Sequence, residues 1–229
     1  MAYINSKARI AWFLGAFISV ASAGSNAGVI LSAVSGTINS GGPGFGTLAE
    51  TLNQSGLDTG YTSGVTDFDT YLATDPLHTI AFSGFEWFAE TGITGASVTY
   101  DLGAATVIDA LALWNEESAG ILTLDVLGSL DGVSFASIAS GLMPTDNVLA
   151  DGAYGADVFQ FAALSTQFVR LDFTGGPDES QGGFTGGAIA EIAFRQGVIE
   201  PPSDVPAPAT IALIGLGLAG LGWKRRRKA

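Results

Sequence analysis

The chain contains no cysteine. A disulfide framework, a thiolate metal site and a cysteine nucleophile are therefore all excluded, and an exported domain must hold together by packing or by a hard metal ion. Histidine is almost as scarce. His78 stands alone, and no Gly-x-Ser-x-Gly elbow accompanies it, so serine-hydrolase chemistry lacks its parts. Basic residues are missing from the middle of the chain: all 22 acidic residues lie between Glu50 and Asp204, against only Arg170 and Arg195 in the same stretch. Such a surface repels phosphate backbones, which argues for no nucleic-acid partner, and it attracts cations. Long amphipathic helical patterns are lacking too. What is abundant is glycine, 32 residues of it, with only 14% charged residues, a composition that suits a turn-rich all-β domain.

The two ends carry addresses rather than core. Lys7 and Arg9 precede an apolar stretch from Ile10 to Val20, followed by the small residues Ala21, Ser22 and Ala23. That order is expected of a secretory signal peptide over residues 1–23, handled by the Sec translocon, with cleavage after Ala23 or, as second choice, after Ala27. At the other end, Pro201, Pro202, Pro206 and Pro208 make residues 200–208 an extended linker. Ala209 to Trp223 are apolar or small apart from Thr210, and Lys224 to Lys228 are all basic. The basic end favours a cytoplasmic C-terminus. A helix over Ala209–Trp223 reaches about 22 Å, short of a hydrocarbon core of ~30 Å. Residues 209–229 are thus expected to insert in the membrane as a transmembrane helix only transiently.

Between these ends, residues 24–199 form one domain. Val29 to Thr79 is expected to be mostly loop with one or two short strands and a brief helix over Gly46–Gln54, where Leu48 and Leu52 lie four apart. Val98, Tyr100 and Leu102 alternate with polar residues as in a half-buried strand, and "TVIDALALWN" reads as a central strand buried on both faces. In "ILTLDVLGSLDGVSF", Leu122, Leu124 and Val126 alternate before Asp131-Gly132, which predicts a hairpin with a type I′ turn. "DVFQFAAL", "QFVRLDFTG" and "GGAIAEIAFR" supply three more strands. Many short strands with frequent turns predict a β-sandwich.

Two segments resemble known families. Val205, Pro206, Ala207 and Pro208, followed by the Gly- and Leu-rich run and the basic cluster, resemble the PEP-CTERM sorting signal of Gram-negative bacteria that make extracellular polysaccharide. The usual motif is Val-Pro-Glu-Pro, with Ala207 here in place of Glu. The resemblance implies an exosortase substrate, cut near Pro206 to Pro208, at the cell surface or in the extracellular biofilm matrix. The second resemblance is carried by "VTYDLG", then "ALALWN", then Ser129, Asp131, Gly132 and Phe135, then Phe168, Val169 and Arg170, and finally "AIAEIAF". Over roughly Asp67 to Arg195 this order is similar to the discoidin, or coagulation-factor type C, domain. It implies a galactose-binding-like jelly-roll β-sandwich with a structural calcium.

Candidate site residues follow from both readings. Asp67, Asp69 and Thr70 sit in a loop-like stretch, and the resemblance implies that they hold calcium together with Glu191; a solvated acidic turn is the alternative. Trp87, and Trp114 with Asn115, offer rings and amides suited to a sugar face, although Trp114 ends an apolar strand and suits the core as well. Arg170 either bonds a ligand or pairs with a carboxylate. Paired carboxylates are numerous enough that residue type alone leaves a glycoside-acting enzyme open, but no pair stands out. The chain is therefore expected to be a non-catalytic, carbohydrate-binding surface or matrix protein with polysaccharide as its partner. A purely structural matrix protein is the alternative.

Overall fold

The computed structural model describes residues 28–81, 83–176 and 185–199. Nine strands run through them: β1 (Ile30–Leu31), β2 (Ser35–Ser40), β3 (Phe45–Gly46), β4 (Trp87–Phe88), β5 (Gly95–Asn115), β6 (Ile121–Ser129), β7 (Ala136–Leu142), β8 (Asp157–Gly175) and β9 (Ala188–Gln196). One short α-helix, α1 (Phe68–Leu72), accompanies them. The fold is all-β, as composition implied. The strand order is β3-β4-β9-β5-β8-β6-β7, with β1 on β9 and β2 on β5.

The alternating segment around Val98 and the apolar run up to Asn115 belong to one strand rather than two. In its first half, β5 pairs with β2 and with the end of β8; in its second half it pairs with β9 and with the start of β8. The β5–β8 ladder is interrupted between Asp101 and Thr106, where Gly103 takes φ 84° and donates its amide to Asp101 Oδ1 at 2.7 Å. Only glycine enters that region without strain, so Asp-Leu-Gly bends the strand from one layer into the other instead of ending it. "DVFQFAAL" and "QFVRLDFTG" likewise merge into β8.

The two halves face each other across a common core. Tyr100 packs edge-on against Phe194 and Trp87 against Phe173, each pair with ring centroids 6.4 Å apart. Val98, Leu111, Leu113, Leu124, Leu171 and Ile192 fill the space between. Ala110, Ala112 and Trp114 look the other way, into a second cluster formed with Ile30, Tyr61, Phe68 and Tyr71 from the N-terminal segment. Cover on both faces is why the strand reads as a continuous apolar run.

That N-terminal segment carries three short strands, and the expected helix over Gly46–Gln54 is a 3-10 turn, Leu48–Leu52. The expected loop at Asp67 to Thr70 is instead the start of α1, with Asp67 as its N-cap accepting the Thr70 amide at 2.7 Å. The expected signal peptide, linker and transmembrane helix fall on residues outside those described, and among the described residues no helix is long and apolar enough to cross a membrane.

The hairpin predicted at Asp131-Gly132 is present between β6 and β7, but its turn is not type I′. Such a turn needs positive φ at both central residues, and here only Gly132 has it, at 72°. Side chains close the connection instead. Ser129 Oγ accepts the Gly132 amide at 2.9 Å, and Asp131 Oδ1 accepts the amides of Val133 and Ser134 at 2.9 and 2.8 Å. These bonds, that from Ser134 foremost, hold the Asp131 carboxyl down at about 2. A lowered carboxyl contributes stability above its ordinary range and loses it as pH falls toward the folded value. Asp131→Asn is therefore expected to lower the melting temperature at neutral pH and to remove part of the stability loss between about pH 4 and about pH 2, read by thermal melts across that range.

Candidate functional site

Strand register builds an open polar groove on the outer face of the layer formed by β2, β5, β8 and β6. Because Val169, Leu171 and Phe173 point into the core, Arg170, Asp172 and Thr174 point outward. Register then sets Ser97 opposite Asp172, Thr99 opposite Arg170 and, from β6, Asp125 opposite Asp172. The groove measures about 620 Å³ and is lined chiefly by Asn39, Ser97, Thr123, Asp125, Arg170 and Asp172. Its polar groups hold one another in place: Asn39 Nδ2 donates to Thr99 Oγ1 at 2.8 Å, Ser97 Oγ donates to Asp172 Oδ1, and Arg170 pairs with Asp172 Oδ2 at 3.2 Å. The Arg170 guanidinium lies over the Phe135 ring, 4.6 Å from its centroid, and its Nε is buried with no partner. The Ser129 and Asp131 bonds that shape the hairpin thus deliver Phe135 as a platform for the groove's one arginine.

Of the residues expected to bind ligand, only Arg170 is presented in this way. Trp87 and Trp114 are fully buried, their indole N–H groups donating to Pro43 O and Pro76 O, both at 2.9 Å. A ring with no exposed face cannot stack on a sugar, so both are corrected to core anchors. Asn115 is corrected as well. Its side chain accepts the Ile121 amide and donates to Ile121 O and Thr145 O, closing the β5–β6 connection from inside.

Nor are the four expected calcium residues brought together as a donor set. Asp67 caps α1; Asp69 pairs with Arg195 at 3.1 Å; Thr70 is exposed. Glu191 is buried on β9, where its Oε2 accepts the Gln54 amide at 2.9 Å. Asp67, Asp69 and Glu191 do not converge on one point.

Sequence reasoning missed a different constellation. Glu86, Glu116 and Glu117 are buried side by side, with His78 and Tyr154 against Glu86. The one available signal was "NEE" at the end of a buried strand, where two carboxylates follow directly on fully enclosed residues. Tyr154 Oη donates to Glu86 Oε1 at 3.0 Å. Burial, reinforced by Glu116 and Glu117, pushes the Glu86 carboxyl up to about 9, and burial pushes Glu117 up as well. His78 is pushed down to about 4 by burial, so it stays neutral beside them.

At the end of the chain the comparison with known families is decisive. Residues 204–227 match the PEP-CTERM protein-sorting motif. Val205, Pro206, Ala207 and Pro208 fall inside the matched segment of this sorting motif, which tolerates Ala207. No curated protein matches the chain in sequence. Among solved structures the chain is similar to chitosan-binding module 1 from a chitosanase/glucanase of Paenibacillus sp. IK-5, at 18% identity over 73% of this chain and 96% of that one, with a TM-score of 0.45. It is similar to the CBM32 of AlyQ in complex with 4,5-unsaturated mannuronic acid, at 15% identity over 72% and 96%, TM-score 0.41. A third similar structure is CpGH89CBM32-5 from Clostridium perfringens, in complex with GalNAc-beta-1,3-galactose, at 18% identity over 70% and 93%, TM-score 0.43.

Glu191 provides a test of the buried architecture. Burial raises its carboxyl from 4.5 to about 8. A raised carboxyl keeps its proton in the folded state while the unfolded chain loses it, so stability is greatest below the ordinary value and falls as pH climbs toward about 8. Glu191→Gln keeps an acceptor for the Gln54 amide and is expected to flatten part of that slope, measured as urea midpoints at about pH 5 and about pH 8. An unchanged slope would contradict the assignment.

Proposed function

We propose that the chain is an exported protein, processed by an exosortase at its sorting motif, whose β-sandwich binds carbohydrate without transforming it. Its place is the cell surface or extracellular matrix of a Gram-negative bacterium, where the basic end orients a transient membrane tether. The groove around Arg170 carries the reading. It is solvent-open, built on a rigid sheet, and offers fixed amide, hydroxyl, carboxylate and guanidinium groups at hydrogen-bonding range, which is the chemistry that saccharide hydroxyls require. Asp125 and Asp172 accept from hydroxyls and repel anions, so neutral or amino sugars are favoured over uronic acids.

A glycan array probed with the full chain tests this. Binding to neutral or amino saccharides is expected, and Arg170→Ala and Asn39→Ala are each expected to weaken it by roughly tenfold, the worth of one charge-assisted or well-placed hydrogen bond. No reproducible binding across the array would favour a purely structural matrix role.

A further inference from the structure

Glu86 lies just before β4, and Glu116 and Glu117 lie just after β5. The two segments meet because Trp87 on β4 and Asn115 on β5 both pair with Ile189 of β9, from opposite sides. Each of the three glutamates offers a carboxylate oxygen within 4.8 Å of the others. Their exposures are 0%, 1% and 5%. Carboxylates are costly to bury unless something compensates their charge. The two basic residues of the described chain are committed elsewhere, Arg170 to Asp172 and Arg195 to Asp69 and Asp109.

Hydrogen bonding leaves part of this cluster unsatisfied. Glu116 is well served, accepting from Ser118 Oγ at 2.7 Å and from the amides of Ser118 and Ala119. Glu86 Oε2 and Glu117 Oε2, by contrast, are buried and have no hydrogen-bond partner. His78 Nδ1 stands 3.4 Å from Glu86 Oε1 but directs its hydrogen to Thr79 O at 2.9 Å. Two carboxylate oxygens without hydrogen-bond partners thus face a third carboxylate that is already oriented by its own hydrogen bonds.

We propose that Glu86, Glu116 and Glu117 bind one hard divalent cation of the calcium class. An all-oxygen donor set suits calcium, whose oxygens sit at about 2.3–2.6 Å, so that a span of 4.8 Å is bridged by one ion. Zinc prefers nitrogen and sulfur donors, and the chain has no thiolate to offer. The ion ties the β5–β6 connection to the segment entering β4, and it is separate both from the groove at Arg170 and from Asp67, Asp69, Thr70 and Glu191.

The test uses the full chain, stripped with chelator and titrated with calcium by calorimetry and by thermal melting. One saturable site per chain is expected, with a rise in melting temperature of about 5 °C or more at calcium well above its dissociation constant. Glu86→Gln and Glu117→Gln are each expected to weaken calcium binding at least tenfold, whereas Asp69→Asn retains it. Both Gln variants put a neutral amide in place of a buried carboxyl that has no ion to compensate it, so in chelator they are expected to melt no lower than the parent chain. Absence of saturable calcium binding to the unaltered chain overturns the proposal and leaves the cluster as a protonated one. Binding of unchanged affinity in a Glu86→Gln/Glu117→Gln double variant overturns it equally.

Discussion

Two strands set the geometry of everything else. β5 and β8 lie antiparallel from the pair Gly95 and Thr174 to the pair Leu113 and Asp157, and each passes through both layers of the sandwich. Because they are shared, the register of one layer constrains the other. The break between Asp101 and Thr106 is where the layers diverge, and Gly103 with the Asp101 side chain makes that break affordable in strain. Side-chain alternation before it sends Val98, Tyr100, Leu171 and Phe173 inward and leaves Ser97, Arg170 and Asp172 on the outer face. Core and groove are therefore two faces of one pairing.

The strands were readable because alternation and apolar runs are direct consequences of one-sided or two-sided burial. "ALALWN" announced cover on both faces, and the structure supplies it with Phe68, Tyr71 and Tyr61. The Ser129, Asp131, Gly132 and Phe135 pattern was also meaningful, though for side-chain bonding within a longer connection and not for a two-residue turn. What could not be read was which aromatic residues face solvent. Trp87 and Trp114 look alike in sequence to sugar-stacking rings, and only the tertiary fold shows that Pro43 O and Pro76 O receive their N–H groups inside the core. Asp67 and Asp69 look like metal ligands for a similar reason: an N-cap and an ion-pair partner use the same residue type.

Charge distribution links the remaining parts. The strongly acidic domain keeps its few cations for specific tasks, Arg195 of β9 pairing with Asp69 on α1 and Asp109 on β5, and Arg170 ordering the groove. The basic residues that the domain lacks are concentrated at the end of the chain, where Lys224 to Arg227 fall inside the segment that matches the sorting motif. The buried glutamates near Tyr154 belong to the same economy of charge: without cationic side chains nearby, their compensation has to come from protons or from a bound ion.

The central claim, that the outer face around Arg170 is the ligand-binding surface, is tested most directly by mapping amide chemical shifts of the isotope-labelled full chain during titration with the saccharide that an array selects. The account predicts perturbations concentrated at Asn39, Ser97, Thr123, Arg170 and Asp172. Perturbations confined to the β5–β6 connection or to the N-terminal segment, with this face silent, would contradict it.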